Sequence, residues 1–246
     1  MIQAMSMVAI LSDIHGNREA LSAVLKDARE CGASEFWCLG DIVGYGASPN
    51  ECCETIRALG AKALLGNHDY AASFRVSLSD MTEIAQTAMR WTRNALSDEN
   101  RQWLRTLPFT RTEGDVTLVH GSLADVKHWA YVFDEVDAIH HFAAQKTGLC
   151  FNGHTHAACF FLQFGKNTIG LMPRTVQYES GCRMVVNVGS VGQPRDESPD
   201  ASYCLYNPGT RVILYRRVPY NVAASADRIR KAGLPSFLAD RLAVGH

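Results

Sequence analysis

Six apolar runs along this chain each give way to a short polar cluster of a similar kind. Leu11 leads into Ser12-Asp13-Ile14-His15-Gly16-Asn17, Leu39 into Gly40-Asp41, and Leu65 into Gly66-Asn67-His68-Asp69. Val119 leads into His120-Gly121, Phe151 into Asn152-Gly153-His154-Thr155-His156, and Val188 into Gly189-Ser190. The first five supply three oxygen donors (Asp13, Asp41, Asn67) and four imidazoles (His15, His120, His154, His156). Such a mixed set suits Mn, Fe, Zn, Co or Ni better than Ca or Mg, with Mn favoured. It is more than one tetrahedral or octahedral ion takes from protein while leaving a position open for water. Two divalent ions sharing one carboxylate account for the number, and Asp41, alone behind its run, is the natural bridge. In extended backbone, residues i and i+2 project to the same side, so both side chains of Asp13-x-His15, and of His154-x-His156, can reach one centre. A single fragment of this kind is more often a turn or surface feature. The ordered set behind successive strands is what points to chemistry.

The elements that must hold these clusters can be read from the patterning. Val8 to Leu11, Phe36 to Leu39 and Ala61 to Leu65 read as short buried strands. Between them, Asn17 to Glu30 carries Ala20, Leu21, Val24, Leu25 and Ala28 at helical spacing, and a second helix runs from Pro49 to Leu59 with proline in its first turn. That alternation predicts parallel strands joined by right-handed crossovers, in a sheet covered by helices on both faces. Sheets of this kind gather functional groups beyond the carboxyl ends of their strands. Further on, helices are expected over Leu78 to Leu96, Asp98 to Thr106 and Val132 to Lys146, with strands at Phe109 to Thr112, Val116 to Val119 and Gly148 to Phe151. From Ala158 the texture turns to β: Ala158 to Phe164, Gln177 near Tyr178, Cys182 to Val188, Ser202 to Tyr206 and Arg211 to Arg217. Asn207-Pro208-Gly209 marks a hairpin turn, and a helical tail covers Ala223 to Leu242. With no linker or repeat in view, residues 1–246 read as one domain of two packed sheets with helices outside.

Composition narrows the function classes. A 47% hydrophobic and 20% charged chain is ordinary for a globular protein. A net charge of -1 gives no long-range pull on a polyanion, which argues against a nucleic-acid polymer as partner. No apolar run approaches the roughly 18 residues of a membrane span, and the start of the chain lacks a basic leader segment. A soluble, cytoplasmic protein without membrane contact is expected, and a homo-oligomer is compatible with the sequence. The eight cysteines form no C-x-x-C pair and sit mostly in apolar runs, so they read as reduced core thiols.

The fragments Asp13-Ile14-His15, Gly40-Asp41 with Gly44, Gly66-Asn67-His68-Asp69, His120-Gly121 and Gly153-His154-Thr155-His156 together resemble the calcineurin-like metallophosphoesterase superfamily. The segment Gly189-Ser190-Val191-Gly192-Gln193-Pro194-Arg195-Asp196 is similar to its small prokaryotic branch, which includes phosphodiesterases and diadenosine tetraphosphatase-like enzymes. The resemblance implies an α/β fold, a four-layer α/β/β/α sandwich of two mixed sheets with flanking helices. It implies that Asp13, His15, Asp41 and His156 hold one metal and that Asp41, Asn67, His120 and His154 hold the other. His68 then stands beside the substrate without being a ligand.

The same resemblance implies a small-molecule phosphate substrate and in-line attack of a metal-bridging hydroxide on phosphorus. His68 would protonate the leaving oxygen or donate a hydrogen bond to the phosphoryl group, and Asp69 would orient His68 or a nearby ligand. Asn17, Arg195 and Tyr45 are candidates for the substrate's surroundings. Two other readings compete. Serine/threonine phosphatases carry a second motif similar to Gly-Asp-x-Val-Asp-Arg-Gly, whereas this chain has Gly40-Asp41-Ile42-Val43-Gly44-Tyr45-Gly46 and lacks that arginine. A non-catalytic scaffold of the same fold would be expected to have lost ligands, and here every ligand position is filled.

Overall fold

Alternate residues of one strand feed two different cores. In β1 (Met7–Leu11), Ala9 and Leu11 pack among helices, while Val8 and Ile10 point into a second apolar layer. A continuous apolar run with both faces buried does this. The computed structural model describes residues 7–246. After β1 come α1 (Arg18–Glu30), β2 (Ala33–Cys38), α2 (Pro49–Ala58), β3 (Lys62–Ala63) and α3 (Asn67–Phe74). Then come α4 (Glu83–Ala95), α5 (Asp98–Arg105), β4 (Thr110–Glu113), β5 (Val116–Val119), α6 (Glu135–Ala144) and β6 (Leu149–Asn152). The rest is β7 (Cys159–Phe164), β8 (Asn167–Leu171), β9 (Val176–Gln177), β10 (Arg183–Asn187), β11 (Ala201–Asn207), β12 (Val212–Val218), α7 (Val222–Lys231) and α8 (Ser236–Asp240).

Two six-stranded mixed sheets result, in the orders β3-β2-β1-β11-β12-β9 and β4-β5-β6-β10-β7-β8. The parallel trio β1, β2 and β3 lies at one edge of the first sheet, and β5, β6 and β10 form a parallel trio in the second. Between the sheets, Ile10, Leu39, Leu118, Phe151, Phe160 and Val186 share one core. The expectation that the first sheet carries helices on both faces is therefore corrected: helices such as α1 and α2 cover one face, and the second sheet covers the other. The outer face of the second sheet packs Val119, Cys150 and Val185 on Ala138 and Phe142 of α6. This is the four-layer α/β/β/α arrangement.

Two elements carry no signal in the patterning. The cluster after Leu65 opens the helix α3 rather than a loop, and β8 forms a short edge strand beside β7. The helix expected from Leu78 begins at Glu83, where Thr82 caps it. All eight cysteines are free.

Candidate metal centre

The carboxyl ends of both parallel trios open onto one place, and all seven expected donors meet there. Asp13, His15, Asp41, His120, His154 and His156 are almost wholly buried, none more than 6% exposed. Their ligand atoms fall into compact groups: Asp13 with His15 and His156, and Asp41 with His120 and His154. His154 and His156 thus turn to different groups, not to one centre as an extended backbone would have them. The reason is local conformation. Asp13, His15, Asp41, His154 and His156 all have positive φ, between 48° and 70°. Non-glycine residues in that region cost roughly 1–3 kcal/mol each and persist only where the surroundings impose them. Here backbone hydrogen bonds do so: Asp13 N donates to Gly40 O (3.1 Å), His15 N to Asp41 O (2.9 Å) and Gly153 N to His120 O (2.9 Å).

Each carboxylate is split between a structural and a free oxygen. Asp13 Oδ2 accepts from His154 N at 2.9 Å, and Asp41 Oδ1 accepts from His68 N at 2.8 Å. Asp13 Oδ1 is left buried without a hydrogen bond. It faces His156 Nε2 at 3.2 Å and His15 Nε2 at 3.7 Å. Asp41 Oδ2 lies between the two groups, 3.6 Å from His15 Nε2 and 3.4 Å from His120 Nε2. Asn67 Oδ1 stands 3.2 Å from His120 Nε2. Glycines make these approaches: a Cβ at Gly66 would come within 2.1 Å of Asp41 Oδ1, and one at Gly153 within 2.5 Å of Asp13 Oδ2.

Three histidines have their tautomers fixed. Nδ1 of His15 donates to Val43 O (3.2 Å), that of His120 to Leu39 O (3.0 Å), and that of His156 to Gln193 O (2.6 Å). Ligating histidines typically donate their second nitrogen in this way. The Nε2 atoms of His15 and His156 then face each other at 3.0 Å. For metal–ligand bonds of about 2.0–2.2 Å, neighbouring donors stand roughly 3–3.6 Å apart; the spacings of 3.0 and 3.2 Å fit an ion among Asp13, His15 and His156, and the third, 3.7 Å, lies just beyond.

Electrostatics point the same way. Burial pushes the Asp13 and Asp41 carboxyls up, but the surrounding imidazoles, His156 and His120 foremost, outweigh it and hold both below the usual range. Burial lowers His120, yet the Asp41 and Asp13 carboxylates override it and raise its pKa to about 9. His154 and His156 are pushed down to about 3 and about 4, first by burial. The pocket therefore holds two carboxylates that call for positive charge, with His120 drawn to a proton beside them and His154 and His156 refusing one.

The remaining candidates separate. His68 is buried with Nδ1 unpartnered, its ring edge-on to His15 at 4.9 Å and 4.5 Å from Tyr45. A ring nitrogen of His68 is within 4.8 Å of a ring nitrogen of His15 and a carboxylate oxygen of Asp41. Burial pushes its pKa down to about 3. Tyr45 lies against His15 at 4.7 Å, and the Arg195 guanidinium sits 5.7 Å over its ring. Asp69 takes neither of its expected partners: Oδ1 accepts from Val43 N (3.0 Å) and Oδ2 from Gly66 N (3.2 Å), tying the loop behind Asp41 to the start of α3. Asn17 is corrected to a structural role. Its Oδ1 caps α1 through Ala20 N and accepts from Ser225 Oγ, while Nδ2 donates to Gly192 O and Tyr220 Oη. Sequence reading missed Asn187, which holds Gly153 O and Thr155 Oγ1, and gave Gln193 no role of its own. Both are polar residues beside the Gly189-Ser190 cluster, the only signal they carried.

Residues 6–211 match the model of the calcineurin-like phosphoesterase superfamily domain. An uncharacterized protein of Methanocaldococcus jannaschii is 37% identical over 98% of both chains. A symmetrical bis(5'-nucleosyl)-tetraphosphatase of Dechloromonas aromatica is 32% identical over 46% of this chain and 42% of its own. The crystal structure of a metallophosphoesterase from Sphaerobacter thermophilus superimposes with a TM-score of 0.88 at 38% identity, covering 98% of this chain and 100% of that one. With its fold, its clustered donors and these relatives in agreement, the chain belongs to the calcineurin-like phosphoesterase superfamily.

Proposed function

We propose that this protein is a dinuclear metal-dependent phosphohydrolase that cleaves a phosphodiester or a dinucleoside polyphosphate. The carrying observation is the convergence of fixed lone pairs: the Nε2 atoms of His15 and His156 and the unpartnered Asp13 Oδ1, within 3.0 to 3.7 Å of one another, with Asp41 Oδ2 reaching toward His120. Asp13, His15, Asp41 and His156 would hold one divalent ion, and Asp41, Asn67, His120 and His154 the second, with Mn favoured. Bound there, such ions supply positive charge for the phosphoryl oxygens and lower the pKa of coordinated water toward neutrality.

The chain's own residues do the rest. His68, neutral at pH 7 because of its burial, donates an N–H hydrogen bond to the phosphoryl group rather than surrendering a proton. Tyr45 stands against His15 and His68, with Arg195 over its ring, and these two would face the substrate. Tyr131 stacks on the His154 ring at 4.0 Å, and Phe133 continues that stack at 4.9 Å, offering an aromatic face to a base or aryl group. The tetraphosphatase relative supports a dinucleoside polyphosphate as substrate class.

The test is steady-state kinetics on Mn-loaded protein with diadenosine tetraphosphate, a bis-aryl phosphodiester and a phosphoserine peptide. We expect kcat/KM for one of the first two to exceed that for the peptide about tenfold or more, which is about 1.4 kcal/mol of transition-state preference. A peptide preference of that size would overturn the substrate reading. His68→Ala should keep its metal and lose roughly 10²–10³ in turnover, the cost of removing one hydrogen-bond donor to a developing oxyanion. Loss of metal from that variant would instead make His68 a ligand.

A further inference from the structure

Two arginines stand at the edge of the donor cluster with no side-chain carboxylate paired to either. Arg195, in the loop after β10, donates from its backbone N to His156 O (3.1 Å) and from Nη2 to Gln193 Oε1 (2.9 Å). Arg241, in the single 3₁₀ turn Arg241–Ala243 after α8, donates from Nη1 to the same Gln193 oxygen at 3.0 Å. Two guanidinium groups sharing one amide oxygen make a like-charge contact. Their other partners are the rings of Tyr45 and Phe237 and the backbone oxygen of His246, none of them a side-chain carboxylate. Arg195 Nε is buried and has no hydrogen-bond partner.

Nearby arginines behave differently. Arg216 pairs with Asp27, Arg217 with Asp196, Arg228 with Glu19 and Arg230 with Asp240. Those four are neutralised by side-chain carboxylates, and the Arg195–Arg241 pair is not. Burial and the charge of Arg195 push the Arg241 pKa down to about 10, the direction expected of a cation held against another.

The pair is also tied to the reaction site. Gln193, which both arginines grip, accepts His156 Nδ1 through its backbone oxygen at 2.6 Å. Tyr45, beneath Arg195, lies between it and the rings of His15 and His68. One positive charge a single aromatic ring away from the donor cluster, with a second joined to it through Gln193, matches a second anionic phosphate, which planar guanidinium groups bind through paired N–H donors.

We propose that Arg195 and Arg241 form a second anion subsite, which holds the phosphoryl group next to the one attacked, so that the favoured substrate is a phosphoanhydride chain rather than a simple phosphodiester. This rests on the phosphohydrolase reading above. In such a hydrolysis one P–O bond forms to water and the bridging P–O bond breaks. The leaving oxygen stays on the phosphoryl group that the arginines hold, and the water protons end on the product phosphates or in solution.

The experiment compares wild type, Arg241→Gln and Arg241→Lys, each loaded with Mn, on diadenosine tetraphosphate and bis-(p-nitrophenyl) phosphate. The ratio of kcat/KM for the tetraphosphate over the diester should fall about tenfold or more in Arg241→Gln and recover in part in Arg241→Lys. In parallel, chelator-treated wild type should unfold at a higher temperature with tripolyphosphate than with equal orthophosphate, because a ligand that binds only the folded state stabilises it. A ratio that moves by less than about threefold, well under 1 kcal/mol, or no tripolyphosphate shift in wild type, overturns the subsite. Wild type that turns over neither compound with any divalent metal would instead overturn the phosphohydrolase reading itself.

Discussion

At the scale of single residues, the donors were legible because each belongs to a glycine-containing polar cluster at the end of an apolar run. Their conformation was not. Extended backbone was expected for Asp13-x-His15 and His154-x-His156, yet all of these donors have positive φ. A non-glycine residue carries no sequence mark of that state, which distant backbone partners such as Gly40 O and Asp41 O impose. One consequence can be measured. Glycine adopts positive φ without the Cβ clash that costs other residues roughly 1–2 kcal/mol. In metal-free protein, His156→Gly should therefore be more stable than His156→Ala by about 1 kcal/mol, the reverse of the usual order. Urea unfolding of both variants in chelator checks this, and an Ala variant as stable as the Gly variant would count against strain at this position.

At the scale of elements, α3 shows where patterning runs out. Asn67, His68 and Asp69 look like a strand-end cluster, but they form the first turn of a helix whose interior, Tyr70-Ala71-Ala72-Ser73, has little amphipathic contrast. Nor is β8 signalled, since it is a short edge strand with Gly170 inside it. The helix start explains Asp69. Its carboxylate accepts two backbone N–H groups, from Val43 and Gly66, and so locks the loop of Asp41 to the helix of His68. Burial and the neighbouring Asp41 raise its pKa to about 8. Asp69→Ala leaves both buried donors unpaired, each costing about 1–3 kcal/mol. The variant should unfold about 2–6 kcal/mol more easily and bind metal more weakly. A normally stable variant with only kcat reduced would show instead that Asp69 serves catalysis by orienting His68.

Across the whole molecule, the sequence disclosed the strands and their order better than it disclosed which core each would face. Val8-Ala9-Ile10-Leu11 is apolar throughout, so the side taken by a second sheet cannot be told from the side taken by helices. Among the described residues no helix is long and apolar enough to cross a membrane. Stability should carry the signature of one histidine outside the donor cluster. His141 of α6 is buried, accepts Leu123 N at Nδ1 (3.2 Å), and is pushed by burial down to about 4 from an ordinary 6.5. Between those values the unfolded chain takes up a proton that the folded one refuses. Its contribution is therefore intact above pH 6.5 and is lost as pH falls toward 4, by up to roughly 3 kcal/mol. His141→Asn, which keeps an acceptor but cannot titrate, should narrow its stability gap to wild type across that window. Parallel stability curves for the two would contradict the assignment. Two ions joined by Asp41 are the central claim, and counting them tests it most directly. After chelation, Mn loading and gel filtration, mass-spectrometric metal analysis should find about two ions per wild-type chain and a clear deficit in Asp41→Ala, as a shared ligand requires. One ion or none in wild type, or a full complement in Asp41→Ala, would contradict it.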